Sequence, residues 1–186
     1  MNAGKSTALL QANHNYFERG MKALLFTAKL DNREGLGFIS SRIGIKKKAH
    51  AFSQDDNLFD FVQKEQGTGK LDCILVDEAQ FLNQAQVRQL TKIVDTTGIP
   101  VLTYGIRTDF KGDVFEGSKF LMAWADEIKE IKTVCHCGKK AIMNARVSAA
   151  GDMETEGAQI EIGGNERYVS LCRSCFTRGE TGTRAV

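Results

Sequence analysis

Residues 4–7 read Gly4-Lys5-Ser6-Thr7, the back half of a phosphate-binding loop. In the whole pattern, G-x-x-x-x-G-K-[ST], backbone amides wrap phosphate oxygens, the lysine reaches the outer phosphates and the hydroxyl meets a magnesium ion. Placing Gly4 at the second glycine puts Met1 at the third position of the motif. The first glycine, and the strand that feeds such a loop, are therefore expected upstream, with Met1 an internal methionine of the loop. A bare G-K-S-T tetrapeptide is more often a helix start than a nucleotide site, so its meaning depends on the residues that follow.

Residues 5–18 carry apolar positions at helical spacing and stop before Gly20, as the helix behind a phosphate loop should. Lys22 to Ala28 (K-A-L-L-F-T-A) reads as a short buried strand, and Leu71 to Val76 (L-D-C-I-L-V) as the strongest buried strand in the chain. Residues 29–50 are rich in Gly and Lys without periodicity. They predict a mobile surface loop, with Lys46, Lys47 and Lys48 as its solvated face. Leu58 to Gln66 is helical up to Gly67 and Gly69, and Gln84 to Thr96 is an amphipathic helix with Val87, Leu90, Ile93 and Val94 on one face. Ile99 to Tyr104 gives another strand, opening on the only proline. Phe115 to Ala125 looks helical, and Ile128 to Val134 alternates as a strand.

This succession predicts an α/β fold: a P-loop NTPase-like parallel sheet flanked by helices. After Cys135 the segments shorten and glycines multiply. Residues 1–134 are thus read as the P-loop α/β domain, 135–178 as a small zinc-binding subdomain and 179–186 as a tail.

Composition narrows the function classes. With 186 residues, 42% hydrophobic and 26% charged, the chain is of ordinary globular character, not disordered. A net charge of +2, from 25 basic and 23 acidic side chains, calls for neither nucleic acid nor an anionic membrane. No apolar run approaches the roughly 18–20 residues that span a bilayer, and no cleavable leader pattern opens the chain, so a cytoplasmic location is expected.

Asp77, Glu78, Ala79 and Gln80 directly follow the apolar strand. An Asp at the C-terminal end of such a strand fits a Walker B carboxylate that holds magnesium, and Glu78 beside it fits a general base. Asp at this turn also fits a helix N-cap. Its pairing with G-K-S-T roughly 70 residues earlier favours the nucleotide site. Cys135-x-Cys137 and Cys172-x-x-Cys175 supply four thiolates for a closed, structural, tetrahedral zinc site. His136, with a Cys on either side, reads as a bystander.

Weaker signals are Asp31, Asn32 and Arg33 after the second strand, and Tyr104 to Phe110 after a later one. Both places are where a doubly wound sheet presents ligand-facing loops. Arg107 reads either as a phosphate-charge partner or as a surface residue. Gly163, Gly164 and Tyr168 lie in a loop able to fold over a small ligand. His14 and His50 read as ordinary helix and loop residues, and Phe17, Phe52 and Phe59 as core or half-buried.

Two functional classes fit best. One is a small-molecule kinase with ATP on the loop and the acceptor hydroxyl beside Glu78. The other is a nucleic-acid-stimulated P-loop ATPase with a zinc ribbon, which size and near-neutral charge disfavour. A zinc-ribbon module without catalysis leaves the loop and the Asp77–Glu78 pair unexplained.

Together these stretches resemble the thymidine kinases of the zinc-containing type shared by bacteria and animal cytosol. The likeness is carried by M-N-A-G-K-S-T, L-D-N-R at 30–33, V-D-E-A-Q-F at 76–81, Y-G-I-R-T-D-F at 104–110, the C-x-C pair and I-G-G-N-E-R-Y at 162–168. The resemblance implies phosphoryl transfer from ATP, with Mg²⁺, to the 5′-hydroxyl of thymidine or deoxyuridine, with Glu78 as base. It implies that Met1, Asn2, Ala3, Gly4, Lys5, Ser6 and Thr7, with Asp31, Asn32, Arg33, Asp77 and Gln80, form the ATP and phosphate site, and that Arg107 lies next to it. It implies that Phe110 packs on the thymine ring, and that Met1, Phe81 and Phe115 line the pocket around its methyl group. A lasso-like loop, stapled by the zinc, would hold the base through Gln159, Ile160, Glu161, Ile162 and Gly163, with Tyr168 on the sugar. A homotetramer inhibited by its end-product triphosphate is also implied. The C-x-C spacing departs from the C-x-x-C of animal members and looks like a bacterial variant.

Overall fold

The four residues Cys73–Val76 (β5) are all buried, and the rest of the main sheet is laid out on either side of them. In the computed structural model, which describes residues 3–31, 35–161 and 167–182, β5 pairs in parallel with Ala23–Ala28 (β1) and with Val101–Thr103 (β6). His50–Phe52 (β4) adds to the far side of β1, giving the parallel order β4-β1-β5-β6. A strand buried on both faces has no polar side to show, which is why β5 reads as a continuous apolar run.

The pleat sorts alternate residues onto two faces. Leu24, Phe26, Ala28, Ile74 and Val76 pack against Leu58–Thr68 (α2) and Gln84–Thr97 (α3) through Leu58, Val62, Val87, Leu90 and Ile93. Leu25, Cys73 and Leu75 meet Leu9 and Leu10 of Lys5–Glu18 (α1) on the other face. Asn83 and Gln86 form a reciprocal capping box at the start of α3, and Gly98 closes the helix in the left-handed conformation.

The predicted loop over 29–50 is corrected. It contains an antiparallel pair, Phe38–Ser40 (β2) with Lys46–Lys48 (β3), before β4 begins. Three consecutive exposed lysines mask the strand, because lysine is depleted from strands and gives no alternation. Their aliphatic stems and charges are used instead: Lys46 lies 4.6 Å over Phe38 and Lys47 5.7 Å over Phe17. Phe17 is accordingly not core but 70% exposed, whereas Phe52 is buried and Phe59 half-buried. Helix α2 runs through Gly67 to Thr68. The predicted strand over Ile128–Val134 shrinks to Thr133–Val134 (β7), since Ile128 and Ile131 are exposed and find no partner strand. His14 pairs with Glu18, and the His50 ring packs on Phe26 and Phe61.

The chain divides into two compact units. One comprises Gly4–Gly105 and Glu116–Ile128 and holds the parallel sheet, together with Glu116–Trp124 (α4). Of the described residues, the other takes in Ala3, Ile106–Phe115 and everything from Lys129 on, so the loop after β6 belongs with the cysteine-bearing segment. That second unit is built on Met143–Val147 (β9), which pairs antiparallel with Met153–Glu154 (β10) and Tyr168–Leu171 (β11). A two-residue hairpin of β7 with Lys140–Ala141 (β8) and the short helix Arg173–Arg178 (α5) complete it.

Candidate active site

Gly4 adopts the left-handed conformation, φ 80°, immediately before α1, and no side chain caps that helix. Its first-turn N–H groups are therefore left without a side-chain acceptor at a helix terminus, where the dipole favours an anion. Within that first turn, Ser6 Oγ donates a 2.9 Å hydrogen bond to Asp77 Oδ2 across 71 residues of sequence. Asp77 follows β5 directly and is 4% exposed. Its other oxygen, Oδ1, is buried with no hydrogen-bond partner among the described residues. Burial first, then the charge of Glu78, push the Asp77 carboxyl up to about 6, against the opposing pull of the Ser6 hydroxyl, the Glu78 N–H and the Lys5 ammonium. A buried carboxylate with one unsatisfied oxygen beside a hydroxyl is a donor set suited to a hard cation such as magnesium.

Glu78 is the only non-glycine residue with positive φ, at 51°, among the described residues. The strain is set by a tight reversal from β5 into the 3₁₀ turn Ala79–Phe81. The buried Gln80 amide donates to Glu78 Oε2, fixing the half-buried carboxylate from below. The turn itself is clamped on two sides. Ala79 N–H donates to Tyr104 O, and a Cβ on Gly105 would lie 2.9 Å from Gln80 Oε1. A Cβ on Gly117 of α4 would lie 2.6 Å from the carbonyl oxygens of both Ala79 and Leu82. Gly105 and Gly117 thus let backbone approach backbone around Glu78, a role the sequence reading missed and that no local pattern announces. Phe81 packs half-buried against the main core.

In the second unit Phe115 is buried, its N–H donating to Arg107 O, and Arg107 Nη2 donates to Ile142 O at 3.5 Å. Phe110 is fully buried, with the Arg146 guanidinium 3.8 Å from its ring centroid. Gln159 Nε2 donates to Asp109 Oδ2 at 2.9 Å, and the Tyr168 hydroxyl donates to Glu161 O at 3.3 Å. The sulfurs of Cys135, Cys137, Cys172 and Cys175 all lie within 4.8 Å of one another. Cys137 and Cys172 are 3.7 Å apart, too far for a disulfide and close to the sulfur–sulfur edge of about 3.8 Å set by Zn–S bonds near 2.3 Å in a tetrahedron. The Cys175 N–H, opposed by burial and helped by the facing thiols, draws Cys172 down to about 7. Burial followed by those same thiols pushes Cys175 up to about 12. His136 turns away to the Glu180 carbonyl.

Ser6, Asp77, Glu78 and Gln80 are brought together, as are the four cysteines. Asp31 sits at the end of the turn after β1, its N–H donating to Ala28 O. Met1, Asn2, Asn32, Arg33, Ile162 and Gly163 lie outside the described residues. No helix among the described residues is long and apolar enough to cross a membrane.

A family model described as thymidine kinase matches residues 1–176. A thymidine kinase of Legionella pneumophila (strain Paris) is 57% identical over 183 residues, covering 98% of this chain and 88% of its own length. One from Xanthomonas oryzae pv. oryzae (strain MAFF 311018) is 55% identical, covering 96% and 86%. One from Mannheimia succiniciproducens is 53% identical, covering 95% and 90%. These matches lend no support to a nucleic-acid-stimulated ATPase.

Proposed function

The chain belongs to the thymidine kinase family, and from that premise we propose that it transfers the γ-phosphoryl group of ATP to the 5′-hydroxyl of thymidine or deoxyuridine. The observation that carries this reading is the Ser6–Asp77 hydrogen bond, which unites a phosphate-loop hydroxyl with a buried carboxylate one residue from Glu78. Phosphoryl transfer needs little covalent chemistry from the protein, so positioning and charge are what its residues supply. Gly4 to Thr7 cradle the phosphates, with Lys5 offsetting their charge. Ser6 and Asp77 are the residues that would hold magnesium, which neutralises phosphate charge when bound. Glu78, held by Gln80, accepts the proton of the attacking hydroxyl. Arg107 is a further candidate to offset phosphate charge. Asp31 to Arg33 lie near the nucleotide, and Phe81, Phe110, Phe115, Gln159 to Gly163 and Tyr168 hold the nucleoside.

The cysteine tetrad is assigned a structural zinc, with no open position for catalysis. A cytoplasmic homotetramer completes the reading. Phe17, Leu36, Phe38, Ile43 and Ile45 are exposed apolar side chains that such an assembly could cover. The test is chromatographic detection of the nucleoside monophosphate from ATP and thymidine by the purified chain. Product in wild type that is lost in Glu78→Gln bears the reading out, and ATP hydrolysis without nucleoside phosphorylation overturns it.

A further inference from the structure

Arg146 is 2% exposed, yet it lies in none of the motifs that mark the site. It sits on β9, and its guanidinium is directed at a single stretch of chain. Nε donates to Glu154 Oε2 at 2.6 Å, Nη1 to the Ala158 carbonyl at 3.1 Å and Nη2 to the Glu156 carbonyl at 2.9 Å. Nη1 also pairs with Glu161 Oε2 at 3.0 Å. Arg167 closes the circuit by pairing with both Glu154 and Glu161, so four charges alternate in a ring. The face of the guanidinium is not idle either, since it covers the Phe110 ring.

The chain accommodates this hub at one residue. Gly157 has φ +122°, and a Cβ there would lie 2.3 Å from Arg146 Nη2. Asp109 gives a second anchor: its Oδ1 accepts from the Lys111 and Asp113 N–H groups while its Oδ2 accepts from Gln159. Residues 154–161 are therefore shaped by two buried charged side chains instead of by apolar packing. A buried guanidinium is an expensive way to hold a loop unless its geometry matters, because well-packed apolar residues fix a segment at lower desolvation cost. A planar fork with donors in fixed directions sets carbonyl positions that no apolar side chain can set.

We propose that Arg146 is the positioning residue for nucleoside recognition: it templates residues 156–161 and ties them to Phe110, acting on substrate binding and not on the chemical step. The inference rests on the thymidine kinase reading above, in which Gln159 to Glu161 and Phe110 hold the nucleoside. Arg146→Lys keeps the charge and loses the fork. It should raise the KM for thymidine about 10- to 100-fold while changing kcat at saturation and the KM for ATP by less than about threefold. Gly157→Ala, which attacks the same contact from the loop side, should give the same split. Hydrogen exchange of the amides at 155–161 supplies a readout that needs no turnover. It should accelerate about tenfold or more in both variants, with exchange in β9 and zinc content unchanged.

A thymidine KM and 155–161 protection that match wild type in both variants overturn the inference. So does a parallel fall in kcat and rise in both KM values with loss of zinc, which would mark Arg146 as merely structural. If Arg146→Lys does not fold, Gly157→Ala decides between these outcomes. Failure of the wild type to phosphorylate thymidine refutes the underlying reading instead, and is seen before any variant is compared.

Discussion

Replacing Asp77 by Asn should make the ligand-free protein more stable at neutral pH while abolishing its catalysis. Asp77 is buried, its Oδ1 lacks a partner among the described residues, and its carboxyl is pushed from 3.8 up to about 6 by burial and then by Glu78. Between about pH 4 and pH 6 the folded chain therefore binds more protons at this residue than the unfolded chain does, and stability falls as the pH rises through that window. Above it the penalty is complete. A displacement of about two pH units at 1.36 kcal/mol each gives about 3 kcal/mol. Asn keeps the acceptor for the Ser6 hydroxyl and removes the charge. The predicted gain of up to about 3 kcal/mol at about pH 8 corresponds to about 6–12 °C in Tm for a chain of this size. It should shrink towards zero near pH 4, where both side chains are neutral. Urea denaturation of both proteins, followed from about pH 4 to about pH 8, isolates the residue because every other titrating group is shared. Adding magnesium nucleotide should narrow the difference by stabilising the ionised wild-type carboxylate. A difference independent of pH, or an Asn variant less stable than wild type at high pH, would refute the reasoning.

Three further outcomes are expected. Glu78→Gln should lower kcat by about 10²-fold or more while leaving nucleotide affinity, measured by calorimetry, nearly unchanged, since the base is needed only when the hydroxyl loses its proton. Gly117→Ala should destabilise the chain by about 1–3 kcal/mol in urea titrations and depress kcat, because the added methyl meets the Ala79 and Leu82 carbonyls that shape the Glu78 turn. Cys172→Ser should abolish stoichiometric zinc in the purified protein. Chelation of wild type should loosen the segments that carry the thiols, read as faster amide exchange in α5 and the β7–β8 hairpin, with less effect on β5.

The sequence revealed those parts of the fold that local burial imposes. Strand β5 has both faces covered and could hardly be anything but apolar; α3 has one buried face and a matching period of polar residues. Ser6, Asp77 and the cysteines were legible because phosphate and metal chemistry demand particular residue types at short spacings. The β2–β3 pair was hidden by Lys46–Lys48, whose charges stay in solvent although the backbone is paired. Ile128–Val134 erred in the opposite sense, offering alternation over residues 128–132, which form no strand; only Thr133–Val134 pairs, with β8. Gly105, Gly117 and Arg146 act on partners between 8 and 38 residues away, at Gln80, Ala79 and Leu82, and at Glu154 to Glu161, and no periodic pattern records such contacts.

The second unit shows why a metal and a charge ring occur together. Its buried apolar cluster holds six residues, Cys135, Ala141, Ala145, Leu171, Cys172 and Cys175, of which three are the cysteines themselves. Phe110, Phe115 and Val147 are also buried in this unit, but at about 25 cal/mol per Å² of apolar area the cluster of small side chains alone supplies little against the entropy of ordering the loops around it. Two devices independent of core volume make up the difference. Zinc ligation would join β8 and the chain before it to α5 through metal–sulfur bonds. The Arg146–Glu154–Arg167–Glu161 ring joins β9, β10, residue 161 and residue 167, which precedes β11, through directional ion pairs. These devices hold different segments, so they should fail separately. Zinc removal should expose α5 and the β7–β8 hairpin first, whereas Arg146→Lys should free residues 155–161 with the tetrad intact. Simultaneous loss of both regions on either perturbation would show instead that the unit folds as one cooperative element, with neither device specific to the segment it touches.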